Sequence, residues 1–117
     1  MSNNKIYDLE ERTAIFGENT IEFLKKVPYN RINNELITQL VKAATSVGAN
    51  YSEADDAVSK KDFKNKIGIC KKESRECKHF FRMIWTAEPD LKEEAKILWQ
   101  EAKELNLIFN AIFNKLK

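Results

Sequence analysis

Apolar and small residues recur along this chain in alternating steps of four and three, the spacing that keeps one face of a helix against its partners in a bundle. Leu9, Thr13, Phe16, Thr20, Phe23 and Val27 form the first row, and Leu36, Leu40, Ala44, Val47, Tyr51, Ala54 and Val58 the second. The third runs through Phe63, Ile67, Cys70, Ser74, Cys77, Phe81 and Ile84, and the fourth through Leu91, Ala95, Leu98, Ala102, Leu105, Phe109, Ile112 and Leu116. The rows predict helices near 8–27, 32–57, 60–87 and 90–116. Pro28 and Pro89 fall between them, where a helix interior could not hold them. Asp8 with Glu11, Ser59 with Asp62 and Asp90 with Glu93 have the spacing of capping boxes at helix starts. Connections this short force neighbouring helices antiparallel, so the expected fold is all-α: a left-handed, up-down-up-down four-helix bundle. At 117 residues the chain has room for one domain, spanning 1–117.

One stretch departs from the pattern. In AATSVGANYSEA, residues 43–54, the second helix loses its bulk except at Tyr51. Small residues on several sides let another backbone come close, either a neighbouring helix of the same chain or one of a second subunit. Gly48 costs a helix about 1 kcal/mol relative to Ala, which packing is expected to offset.

Hydrophobic residues at 43% and charged residues at 32%, with 3 Gly and 2 Pro, describe a helical protein with a strongly solvated surface. A net charge of +2 carries little weight as a sum. Its distribution matters more, because from 60 to 82 there are nine Lys or Arg against three acids. Lys64, Lys71, Arg75, Lys78 and Arg82 fall in a stripe beside the buried row of the third helix. Such a stripe suits a phosphate backbone. The alternative is a solvated face paired with acids of the fourth helix, where Glu88, Asp90, Glu93, Glu94, Glu101 and Glu104 are available.

Catalytic and metal chemistry find little support. Glu76 and His79 form the E-x-x-H pair of di-metal bundles, but that site needs two such pairs and His79 is the one histidine. The same scarcity removes a Ser-His-Asp triad, and Gly17, Gly48 and Gly68 stand alone rather than in a phosphate-binding loop. No metal, cofactor or enzymatic activity is expected. Cys70 and Cys77, seven residues apart on one helix, are separated by about 10 Å along its axis and cannot bridge each other. Reduced thiols, the absence of a signal-peptide pattern in MSNNKIYDLEERT and the lack of a long apolar run point to a cytoplasmic protein without membrane contact.

Asn50, Glu53 and Glu73 lie close to the apolar rows and are candidate buried polar residues, with Arg12 a possible partner for one of the carboxylates. They serve either internal hydrogen bonding or an interface. Ile69, Phe80, Ile97, Trp99, Leu107 and Ile108 exceed what one stripe per helix can hide, so either the core is wide or a second subunit covers them. These six are candidate oligomer-interface residues.

Three segments, YDLEERTAIF at 7–16, AATSVGANYSEA at 43–54 and KKESRECKHFF at 71–81, resemble the family of four-helix-bundle proteins encoded by intervening sequences within bacterial 23S rRNA genes. The resemblance implies assembly into a ring, typically a homopentamer, and an association with nucleic acid. The accessory protein of diversity-generating retroelements, which works with a reverse transcriptase and RNA, is similar in fold. The family supplies no catalytic residues to carry over. Two functional expectations result: a ring that offers RNA or DNA a repeated basic surface, or a scaffold that binds a protein partner without touching nucleic acid. Added salt separates them, because only the first depends on charge.

Overall fold

The computed structural model describes residues 8–116; Tyr7, which opens the first of the three segments, lies outside the described residues. Four helices run α1 (Leu9–Leu24), α2 (Arg31–Asp55), α3 (Lys60–Ala87) and α4 (Lys92–Lys115), with a 3-10 turn at Pro89–Leu91 before α4. They pack around one core in the order α1–α2–α3–α4, the expected antiparallel bundle, in a body of 44 × 30 × 19 Å.

The helix starts follow local chemistry. Asp8 Oδ1 accepts from Glu11 N at 3.1 Å and Ser59 Oγ from Asp62 N at 3.0 Å, as the spacing predicts. Asn30 caps α2 in the same way, accepting from Asn33 N at 2.8 Å, a cap the sequence reading does not include. Asp90 is no cap. The turn begun by Pro89 satisfies its own backbone, with Leu91 N donating to Glu88 O, so α4 begins without a side-chain cap. Helices α1 and α2 also end earlier than expected, whereas α3 ends at Ala87 as the spacing predicts. After Leu24 the chain tightens through Lys26 N to Phe23 O and Val27 N to Leu24 O, which still buries Val27. Helix α2 stops at Asp55, and Val58, expected in the core, is 95% exposed.

All six residues of the first row are buried, and so are Ile67, Cys70, Ser74, Cys77, Phe81 and Ile84 of the third. Thr13 and Thr20 tolerate burial because each hydroxyl donates to a carbonyl one turn back, to Leu9 O at 2.7 Å and Phe16 O at 2.8 Å. Across the bundle the Phe81 ring lies 6.2 Å from Phe16 and 6.1 Å from Phe23, and Tyr51 lies 6.1 Å from Phe109.

The small-residue stretch of α2 receives α1. A Cβ on Gly48 would lie 3.4 Å from the carbonyl carbon and oxygen of Thr13, and one on Gly17 3.7 Å from Ala44 O. The glycines therefore allow backbone to approach backbone between two helices of the same chain. The α1–α4 side is the thinnest contact of the bundle and is closed by charge. Arg12 donates to both carboxylate oxygens of Glu101 at 2.7 and 2.8 Å and to Glu104 at 3.1 Å, while Lys26 pairs with Glu94. The Glu101 hydrogen bond, ahead of the opposing cost of burial, raises the Arg12 pKa. Arg12 thus meets neither Glu53 nor Glu73, the partners considered from sequence.

Two stability predictions rest on these contacts. Gly48→Ala is expected to unfold at the same temperature or a few degrees higher, since it gains helix propensity and meets Thr13 at contact distance; Gly48→Leu should lose about 1–3 kcal/mol by forcing the backbones apart. Thermal melts of both variants check this, and an unharmed Gly48→Leu would contradict a close α1–α2 approach. Arg12→Met is expected to cost about 1 kcal/mol in low salt and less in high salt. Urea titrations at two ionic strengths measure it, and a salt-independent loss would remove the ion pairs as the cause.

Candidate nucleic-acid interface

Helix α3 turns its apolar row inward and carries Lys64, Lys71 and Lys78 on the edge nearest α4. Lys64, Lys71 and Lys78 are half-buried, their stems lying along the helix pair, whereas Arg75 and Arg82 are exposed. The ammonium groups sit against aromatic rings of α4: Lys71 Nζ is 4.4 Å and Lys64 Nζ 5.1 Å from the Phe113 centroid. Lys78 Nζ is 5.9 Å and Lys103 Nζ 5.5 Å from that of Trp99. Phe113 seats on Gly68, where a Cβ would come within 3.3 Å of the ring.

Among the described residues, none of Lys64, Lys71, Arg75, Lys78 and Arg82 lies within 4.0 Å of a carboxylate oxygen. Glu94, Glu101 and Glu104 pair with α1, and Glu88 accepts from Asn33 Nδ2 at 2.9 Å. The expected pairing of the stripe with α4 is therefore absent from these contacts.

The candidate buried polar residues divide. Glu53 is exposed and pairs with Lys66 Nζ at 2.6 Å, because the register of α2 turns it outward at the rim of α3. Asn50 is half-buried and donates to Ser46 O and Ser46 Oγ, both at 2.9 Å. Glu73 is largely covered, and burial, reinforced by Glu76, raises its pKa above the usual carboxylate value despite Lys72 and Lys42. The sequence reading misses Asn33 and Asn106, both buried. Asn33 Nδ2 also donates to Pro28 O at 3.0 Å, and Asn106 Nδ2 donates to Lys71 O at 2.8 Å and Ser74 Oγ at 3.2 Å. Asn106 is seven residues from both Trp99 and Phe113, a spacing that marks it as facing α3.

Of the six residues considered for an oligomer interface, Phe80, Trp99 and Ile108 pack against the core of their own chain and Ile69 is half-buried. The core is wider than one stripe per helix. Ile97 and Leu107 are the two left exposed, at 71% and 57%.

Cys70 and Cys77 are buried free thiols, and Cys70 Sγ donates weakly to Val47 O at 3.6 Å. Burial pushes the Cys70 pKa up to about 12 and raises that of Cys77 as well. Among the described residues no cluster of three or more His, Cys, Asp or Glu is placed to hold a metal, and no helix is long and apolar enough to cross a membrane.

Fold and surface define an all-α four-helix bundle with charge segregated to one edge of α3. The profile of the 23S rRNA-intervening sequence protein family matches residues 7–111, and the chain belongs to that family. In structure it is similar to a protein of unknown function from the S23 ribosomal protein family of Bacteroides thetaiotaomicron VPI-5482, with a TM-score of 0.77 and 24% sequence identity over 89% of this chain and 96% of that one. No curated protein matches the chain. Neither the family description nor that of the structural neighbour names an activity.

Native thiols this deeply buried should react with Ellman's reagent only through unfolding, slowly at pH 8 and at once in denaturant, two per chain. Because folding raises both pKa values, their contribution to stability is intact below about pH 8.5 and lost as pH rises from there toward 12. Labelling time courses and urea midpoints between neutral pH and pH 10 test both statements; rapid native labelling would contradict the burial.

Proposed function

We propose that this protein is a non-enzymatic helical bundle of the cytoplasm that assembles with copies of itself and binds nucleic acid along α3, with RNA the expected form from the kinship of the family. The observation that carries this reading is the stripe of five cations on α3, which among the described residues has no carboxylate partner, while Glu94, Glu101 and Glu104 of α4 are engaged by α1 and Glu88 by Asn33. Five cations neutralising phosphates give a binding constant that falls steeply with salt, by a logarithmic slope of about −3.5 on single strands and −4.5 on duplex DNA. Assembly multiplies the stripe by the number of subunits, and the family resemblance makes five the expected number. Exposed Ile97 and Leu107 on α4 support such an apolar contact. The same pair favours the second reading, a scaffold for a protein partner, in which binding hardly responds to salt.

Replacing Lys71, Arg75 and Lys78 together by Glu should weaken RNA binding at least about tenfold while leaving helicity unchanged. Fluorescence anisotropy with a labelled RNA hairpin at low and moderate salt measures the effect, with light scattering on the same samples for mass. Unaltered affinity in the triple variant would exclude α3 as the binding surface. A monomeric mass would exclude self-assembly.

A further inference from the structure

Two rows of side chains face each other in the groove between α3 and α4. On α3, Lys64, Lys71 and Lys78 recur every seven residues; on α4, Trp99, Asn106 and Phe113 do the same. The helices are antiparallel, so the rows meet in opposite order: Lys64 and Lys71 flank Phe113, the carbonyl of Lys71 receives Asn106, and Lys78 reaches Trp99. The two rings are fourteen residues apart on one face of α4, about 21 Å along its axis.

From these contacts we infer that the α3–α4 groove is a track for unpaired nucleic acid, in which bases stack on Phe113 and Trp99 while phosphates meet Lys64, Lys71 and Lys78. The inference rests on the nucleic-acid reading above and narrows it to single strands. A duplex shows a protein its phosphates and keeps its base faces stacked inside, so a row of aromatic rings adds nothing to duplex binding. A single strand presents charge and flat π-surface in alternation, and that is the alternation the groove displays. Both rings are half-buried rather than sealed in the core. Gly68 holds Phe113 low against α3, and Trp85 holds one edge of Trp99, its ring centroid 6.4 Å away. Each ring is thus fixed in place with its cations movable. In the free protein the ammonium groups rest on the rings; an arriving phosphate offers them a charged partner, and their long stems swing them aside to open the ring face to a base. Glu76 also borders the groove, yet it lies beyond 4.0 Å from all five cations of the stripe.

The test titrates the full chain into a labelled uridine homopolymer and into a blunt RNA duplex of equal length, at one low salt concentration. The single strand should bind about tenfold more tightly than the duplex. Phe113→Leu and Trp99→Leu should each weaken single-strand binding by about tenfold and leave duplex binding unchanged, and Phe113→Tyr, which keeps a ring, should bind like the parent. Equal affinity for both forms, with the leucine variants unaffected, would overturn stacking and leave the charge reading in place. No binding of either form would overturn both. Should Phe113→Leu fail to fold by circular dichroism, Trp99→Leu and the parent's ratio of single-strand to duplex affinity decide the matter.

Discussion

The bundle depends on Phe81. This fully buried ring of α3 meets Phe16 and Phe23, about two helical turns apart on α1, and so ties the first helix to the third across the core. That diagonal adds to the close backbone approach of α1 to α2 and to its thinner, charged contact with α4. The two neighbouring seams follow from this arrangement. On one side, Gly17 and Gly48 remove the bulk that would hold α1 away from α2; on the other, Arg12 spans the remaining gap with a guanidinium long enough to reach Glu101 and Glu104. A short α1 of 16 residues can therefore cover the core that three longer helices leave open.

This way of docking α1 also shapes the surface. Glutamates on α4 are drawn toward Arg12 and Lys26, away from α3, and the cations of α3 are left to cover the opposite edge of α4. Charge segregation here joins the cation-rich sequence of α3 to the way the helices close on each other, although the chain as a whole is nearly neutral. The lysine stems contribute to packing while their heads lie over the half-buried rings of α4, so one residue serves both core and surface.

The apolar rows were legible because helical spacing repeats a single decision many times, and one misplaced residue such as Val58 does not alter the period. Thr13 and Thr20 could be placed in the first row by position alone, their hydroxyls being satisfied within the helix. Glu53 was harder: a residue at the margin of a row turns in or out according to helix crossing and the reach of a partner, here Lys66. Arg12 likewise had several acids within plausible range, and only the packing of α1 beside α4 selects Glu101. For the candidate site, the cations of α3 could be picked out one helix at a time. Their aromatic counterparts could not, because Trp99 reads as ordinary apolar surplus and Phe113 belongs to no row until α4 is laid against α3. Asn106 is hidden in the sequence for the same reason.

The two facing rows repeat in whole heptads, and each step outward from the α3–α4 turn adds seven residues on both helices. The turn at Pro89–Leu91 therefore acts as the origin of a ruler. Inserting one heptad into each helix, opposite one another, would add a rung and preserve every other pairing, whereas a single added residue in either helix would rotate all rungs beyond it by about 100°. Length variation along this hairpin is thus quantised: the groove can grow or shrink by whole rungs, and any other change unpairs it.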